Sequence, residues 1–109
     1  MEDKRILQQL VPEVVDIYGE LLVSIILYGS VARGTQTHES DIDIAIMLKR
    51  EETSDMKERM TDIIVDLELE HNKVLSVLRI DYAKFKLWED TMPFYKNMKK
   101  DGVVLWSAA

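Results

Sequence analysis

From Leu21 to Tyr28 the chain is an almost unbroken run of leucine and β-branched positions, with Ser24 its only polar interruption, which predicts a strand buried on both faces. Ahead of it, Ile6, Leu7, Leu10, Val14, Ile17 and Tyr18 recur at spacings of one, three and four and line one face of a helix. Pro12 falls inside that helix and predicts a kink or a second start there. From Asp41 the pattern alternates: Ile42, Ile44, Ile46 and Leu48 share one face of a strand, and Asp41, Asp43, Ala45 and Met47 share the other, so both acids point the same way. Asp55 followed by Glu58 reads as a helix-start box, and Met56, Met60, Ile63, Ile64 and Leu67 then form an apolar stripe that breaks at Asn72 or Lys73. Val74 to Ile80 reads as a third strand and Asp81 to Trp88 as a short helix. A further helix starts between Thr91 and Pro93, runs to Lys99 and stops at Asp101-Gly102; Val103 to Trp106 forms a last short strand, and 107–109 is expected to fray.

Helices alternating with strands predict an α/β fold with a small mixed sheet of three to four strands flanked by helices. Gly29-Ser30 closes the first strand, and Ser30 is placed to cap a short helix through Val31-Ala32-Arg33 that Gly34 ends. Thr35 to Ser40 is a polar loop, and Asp41 opens the second strand. Antiparallel pairing of these two strands brings Gly29-Ser30 beside the acids, whereas parallel pairing separates them by roughly 20 Å. The longer crossover from Leu48 to Val74 suits a parallel third strand.

With 109 residues the chain is expected to be a single domain over 1–109, without room for a second substrate-binding lobe. Its 14 basic and 20 acidic side chains give a net charge of −6, which opposes general attraction to nucleic-acid phosphates but is compatible with a nucleotide carried in with a divalent cation. There is no cysteine, so a thiolate metal site and thiol redox chemistry are excluded. The first residues lack the apolar stretch of a signal peptide, and no apolar run approaches the roughly 18 residues of a membrane span, so a soluble cytoplasmic protein is expected.

Two aspartates two residues apart on one strand face can bind one cation or bridge two, and their hard oxygens suit magnesium. Taken alone, Asp-x-Asp also fits an ordinary surface edge. Gly29 allows a close approach of phosphate to the backbone and Ser30 adds a hydroxyl donor, although a strand-to-helix turn with a capping serine has the same look. Arg33 is placed either to contact phosphate or to pair with Asp41 or Asp43. Ser40 is expected only to orient its loop, and His38 to be a solvated side chain rather than a ligand.

The run Tyr28-Gly29-Ser30-Val31-Ala32-Arg33-Gly34, followed by Ser40-Asp41-Ile42-Asp43-Ile44, closely resembles the signature of the DNA polymerase beta-like nucleotidyltransferase superfamily, in particular its minimal nucleotidyltransferase (MntA-like) branch. Both motifs match at the family's ten-residue spacing, and Pro93-Phe94-Tyr95-Lys96-Asn97 with Asp101-Gly102-Val103 is similar to the tail of that branch. The resemblance implies ATP or another nucleoside triphosphate as substrate, magnesium as cofactor, and transfer of a nucleoside monophosphate to an acceptor hydroxyl. Gly29 and Ser30 would hold the terminal phosphates, and Asp41 and Asp43 the metal. It further implies a HEPN-domain ribonuclease toxin as partner, silenced in some members of the branch by adding AMP to a tyrosine; the acidic charge here would suit a basic surface on it.

The superfamily usually carries a third carboxylate on the third strand, where it activates the acceptor hydroxyl. Here Val74, Ser76, Leu78 and Ile80 form one face of that strand and Leu75, Val77, Arg79 and Asp81 the other, so Ser76 stands in the expected slot. Serine is no base at neutral pH and a weak ligand for magnesium. Glu68 and Asp81 are weak candidates to replace it, while Asp62, Asp66 and Glu70 read as a solvated helix face. Two functions follow: a metal-dependent nucleotidyltransferase acting on a partner protein, or a nucleotide-binding antitoxin, catalytically weak or inactive, that works by direct protein contact. Transfer to a small molecule such as an aminoglycoside fits less well, because relatives with that activity carry an additional acceptor-binding domain. Trp88, Phe94, Tyr95 and Trp106 fall in the last quarter of the chain and are expected in the core or against a second subunit, so a homo-oligomer is a further expectation.

Overall fold

The computed structural model describes residues 2–35, 37 and 41–108. The expectations for His38 and Ser40, and for much of the polar loop around them, lie outside the described residues.

The chain runs α1 (Glu2–Tyr18), a single 3-10 turn (Gly19–Leu21), β1 (Leu22–Tyr28), α2 (Gly29–Arg33), β2 (Ile42–Leu48), α3 (Ser54–His71), β3 (Leu75–Asp81), α4 (Tyr82–Trp88), α5 (Pro93–Asp101) and β4 (Val103–Ser107). The four strands form one mixed sheet in the order β3-β2-β1-β4, with β1 antiparallel to β2 and β4, and β2 parallel to β3. This is the α/β architecture expected, with its first two strands antiparallel.

Strict alternation along β2 divides the core in two. Ile42, Ile44, Ile46 and Leu48 meet Ile6, Leu10 and Val14 of α1 and Met60 and Leu67 of α3 on one face. Ala45 and Met47 meet Phe85 of α4 and Met98 of α5 on the other. Strand β1 also contributes to both layers, and a register shift between Leu22 and Ser24 resets its alternation, so that Leu22, Ile25 and Leu27 face α1 and α3 while Val23, Ile26 and Tyr28 face α4 and α5. Helices on both faces of the sheet are why β1 and β2 are mostly apolar.

Several helix boundaries differ from the sequence reading. Helix α1 continues through Pro12 as one element. Helix α3 is capped by Thr53, whose side chain accepts from Met56 N, and not through the Asp55/Glu58 box; the hydroxyl reaches the third helical amide from an extended residue one turn earlier. Asn72 in the left-handed region (φ 51°) ends it. Asp81 caps α4, accepting from Ala83 N and Lys84 N, and Pro93 occupies the first turn of α5. The last strand does not fray at Ser107: that residue pairs with Ser24, and Ala108 N donates to Val23 O at 2.9 Å. Glu89 bonds both Lys86 (2.8 Å) and Lys99 (2.9 Å), which ties the end of α4 to α5. Of the four late aromatics, Trp106 packs against the α1/α3 core and Tyr95 beside Phe85, whereas Trp88 and Phe94 are exposed, Phe94 meeting Tyr28 edge-on, so the core takes up only part of the set.

Candidate active site

The antiparallel register pairs Tyr28 with Asp43, so the end of β1 and the start of β2 coincide and Gly29 arrives beside the Asp43 carboxylate. The fit is close. A Cβ built on Gly29 would fall on Asp43 Oδ2, with the carboxylate carbon 3.1 Å away, and Gly29 holds φ +75°, where a side chain is strained. Glycine is therefore required twice over at this position, by backbone conformation and by the space the acid occupies.

From Gly29 the chain turns straight into α2, and Gly34, in the left-handed region (φ 74°), closes that helix after five residues. The N-cap position belongs to Tyr28, which makes no side-chain capping bond; Ser30 lies inside the helix and does not cap it. The helix thus begins two residues earlier than a cap at Ser30 would set it, with Gly29 at φ +75° making the turn from strand into helix. Thr35 returns to the helix, its amide donating to Ser30 O at 2.9 Å.

Asp41 stands exposed immediately before β2, and Asp43 is half-buried on the face that carries Ala45 and Met47. Burial pushes the Asp43 carboxyl above its ordinary value; the neighbouring Asp41 charge adds to that, and Arg33 opposes it. Arg33 is exposed, and among the described residues it forms no ion pair with either aspartate, so its influence is through space. The Tyr28 hydroxyl is also pushed up, by burial and then by the Asp43 charge. Gly29, Arg33 and Asp43 thus surround one place, with Ser30 on the turn that leads out of it.

The residues expected to matter on the third strand separate clearly. Ser76 pairs with Asp43 in the parallel register and shares its sheet face, so it holds the position nearest the acids on β3. Asp81 pairs with Leu48 at the far end of the strands and caps α4, which removes it from the site. Glu68 belongs to α3, in the layer on the opposite face, where its Oε2 accepts from Leu75 N at 2.9 Å. Asp62, Asp66 and Glu70 are exposed on α3, as expected. Among the described residues no group of three or more histidine or acidic side chains gathers to hold a metal, and the site's carboxylates are Asp41 and Asp43.

One lining of the site was not legible as such in the sequence. A cleft of about 250 Å³ opens beside Gly29, bounded by Tyr28 and Arg33 on one side and by Phe94, Asn97, Met98 and Asp101 of α5 on the other. Spacings of three and four along α5 would have indicated a shared face, but nothing in the pattern says that this face meets the end of β1. A larger cleft of about 400 Å³ lies at the other end of β2 and β3, around Arg50, Glu52, Lys57 and Arg79. Its central groups pair with one another: Tyr18 donates to Glu52 at 2.5 Å and Arg79 meets Glu52 at 3.2 Å. That network holds structure together and lies away from the aspartates.

Comparison with known proteins accords with this geometry. No curated protein matches the chain. Among solved structures, a chain of a toxin–antitoxin complex with AMP-PNP is similar at 20% identity, covering 90% of this chain and 71% of that one, with a TM-score of 0.60. A chain of the structure of a tri-AMPylated Shewanella oneidensis HEPN toxin in complex with MNT antitoxin is similar at 17% identity, covering 99% and 74%, with a TM-score of 0.60. A mutant of the MntA-HpeT toxin–antitoxin pair gives 18% identity over 99% and 74%, at the same TM-score of 0.60. These likenesses share the fold. The family described as "Polymerase beta, Nucleotidyltransferase" matches residues 13–109, which includes every element from the second half of α1 onward, and the protein belongs to that nucleotidyltransferase family.

Proposed function

We propose that the protein transfers a nucleoside monophosphate, AMP from ATP, to a hydroxyl of a partner protein, as the antitoxin of a HEPN-type toxin. The observation that carries the reading is the lodging of the Asp43 carboxylate against a glycine that opens a helix, with Asp41 beside it. Two adjacent carboxylates, one of them held up in pKa by burial and by its neighbour, are a donor set that a hard divalent cation relieves, and their oxygens suit magnesium. When bound by Asp41 and Asp43, magnesium supplies neutralisation of the polyphosphate and acidification of the attacking hydroxyl.

The chain's own residues supply the rest. Amides at the start of α2 lack intrahelical acceptors, so Gly29 and Ser30 present donors to the terminal phosphates, with the Ser30 hydroxyl alongside. Arg33 adds a cation to the same end. The acceptor oxygen attacks the α-phosphorus as the bond to the β-phosphate breaks and pyrophosphate leaves. Ser76 cannot take the acceptor's proton, which passes to solvent, and the lost base contributes a factor of roughly 10² to 10⁴ in rate. Slow transfer with intact nucleotide binding is the expected phenotype.

Purified protein, its genomically adjacent partner, labelled ATP and magnesium test this directly. Label on the partner is expected, with none in Asp41→Ala/Asp43→Ala; no transfer by the wild type, or equal transfer by the double variant, overturns the reading. Ser76 favours a second function, neutralisation of the partner by binding alone. Rescue of cells expressing the toxin by the double variant supports that alternative, whereas loss of rescue with the complex intact excludes it. An acidic protein of net charge −6 suits a basic partner surface in either case.

A further inference from the structure

We propose that the cleft between the end of β1 and α5 is the nucleoside subsite, in which the base of the triphosphate packs on Phe94 and is read by Asn97 and Asp101. This deepens the nucleotidyltransferase reading and rests on it.

Position is the first argument. The cleft shares Gly29 and Arg33 with the place where the phosphates are expected, so a nucleotide whose polyphosphate lies at Gly29 has its other end directed along α5. Size is the second. At about 250 Å³ it falls below the roughly 300 to 1,000 Å³ of sites that enclose a whole drug-sized ligand, and it fits one ring system whose polar tail lies outside.

Chemistry is the third argument. Phe94, Asn97, Met98 and Asp101 follow at spacings of three, one and three and place one face of α5 on the cleft. Met98 forms a buried floor. Phe94 is 42% exposed despite being aromatic, and Tyr28 meets it edge-on, ring centroids 5.6 Å apart at 89°, which props the ring at the cleft. The side chains of Asn97 and Asp101 make no hydrogen bond or ion pair with the described residues, so their amide and carboxylate remain available to a ligand. An amide offers a donor and an acceptor together, which matches the edge of a base, and a carboxylate accepts from an exocyclic amine or a ribose hydroxyl.

Binding of two probes, ATP and inorganic tripolyphosphate, each with magnesium, separates this subsite from the phosphate site. Phe94→Ala and Asn97→Ala are each expected to weaken ATP about tenfold while leaving tripolyphosphate unchanged, since stacking and base-edge contacts are each worth about that factor. Phe94→Leu, which keeps apolar bulk and loses the aromatic face, gives the same loss should the alanine variant melt early. ATP affinity unchanged in either position's variant overturns the proposal, and transfer that falls while ATP affinity holds assigns the cleft to the acceptor instead. Equal weakening of both probes also overturns it, because α5 would then only support the phosphate end. In those cases loss of both probes in Asp41→Ala/Asp43→Ala leaves the nucleotide reading standing; a wild type that binds neither probe sinks both.

Discussion

The Asp43 carboxylate occupies the space in which a side chain at position 29 would stand, so the acid and the glycine go together. Gly29→Ala adds a methyl where the carboxylate already sits and forces alanine into φ +75°, so a loss of about 2 to 4 kcal/mol is expected in urea unfolding, together with loss of magnesium-dependent ATP binding. Asp43 behaves in the reverse sense. Its carboxyl is raised in the folded protein by burial first and Asp41 second, so the native state binds the proton more readily than the unfolded chain does. The stability this supplies is complete below the unfolded pKa and is lost as pH rises through the folded one, leaving a destabilising ionised group at neutral pH. Asp43→Asn is therefore expected to raise the melting temperature of the nucleotide-free protein at pH 7, with the gain fading below about pH 4. Magnesium is expected to raise the melting temperature of the wild type and not of the asparagine variant.

Helix ends show how local choices position that site without taking part in it. Asp81 caps α4 from the last residue of β3, at the end of the sheet away from Asp43. Asp81→Ala is expected to cost about 1 kcal/mol in chemical denaturation and to leave ATP binding unaltered. This outcome distinguishes a cap from the catalytic substitute that its place beside the third strand suggests. Helix α3 buries Met60 completely against the α1 face of the sheet. Met60→Ala is expected to cost about 2 to 5 kcal/mol, again by denaturant titration, since it opens a cavity between two long helices and the sheet.

Across the molecule, Tyr18 at the end of α1, Glu52 after β2 and Arg79 on β3 lock three distant segments together. Burial, then the bond to Glu52, pushes the Tyr18 hydroxyl up to about 12. The folded state thus holds that proton more tightly than the unfolded chain, whose tyrosine titrates near 10. Stability from this group is complete below that value and drains away as pH rises toward 12. Tyr18→Phe is expected to melt earlier than wild type at pH 8 and to show a shallower fall between pH 10 and 12, read by thermal melts across that range.

Periodicity with the helix-end signals was enough for the element order and for the buried character of β1, because alternation and 3.6-residue spacing are local consequences of which face meets the core, and the mixed sheet followed from crossover length and from the need to bring the two motifs together. The Gly-Ser and Asp-x-Asp motifs, their ten-residue separation and the serine at position 76 were equally legible, since each is a matter of residue type and count. Capping was less so. Thr53, and Tyr28 in place of Ser30, hold their positions through backbone angles that several sequences can adopt. Only the folded chain could decide that Gly29 touches Asp43, that Asp81 lies at the far end of the strands, that Glu68 is engaged by Leu75 N from the opposite layer, and that α5 faces the end of β1 to form a cleft. Each of these depends on strand register and on which side of the sheet a helix packs, and both are set by contacts between residues far apart in the chain, which no local pattern encodes.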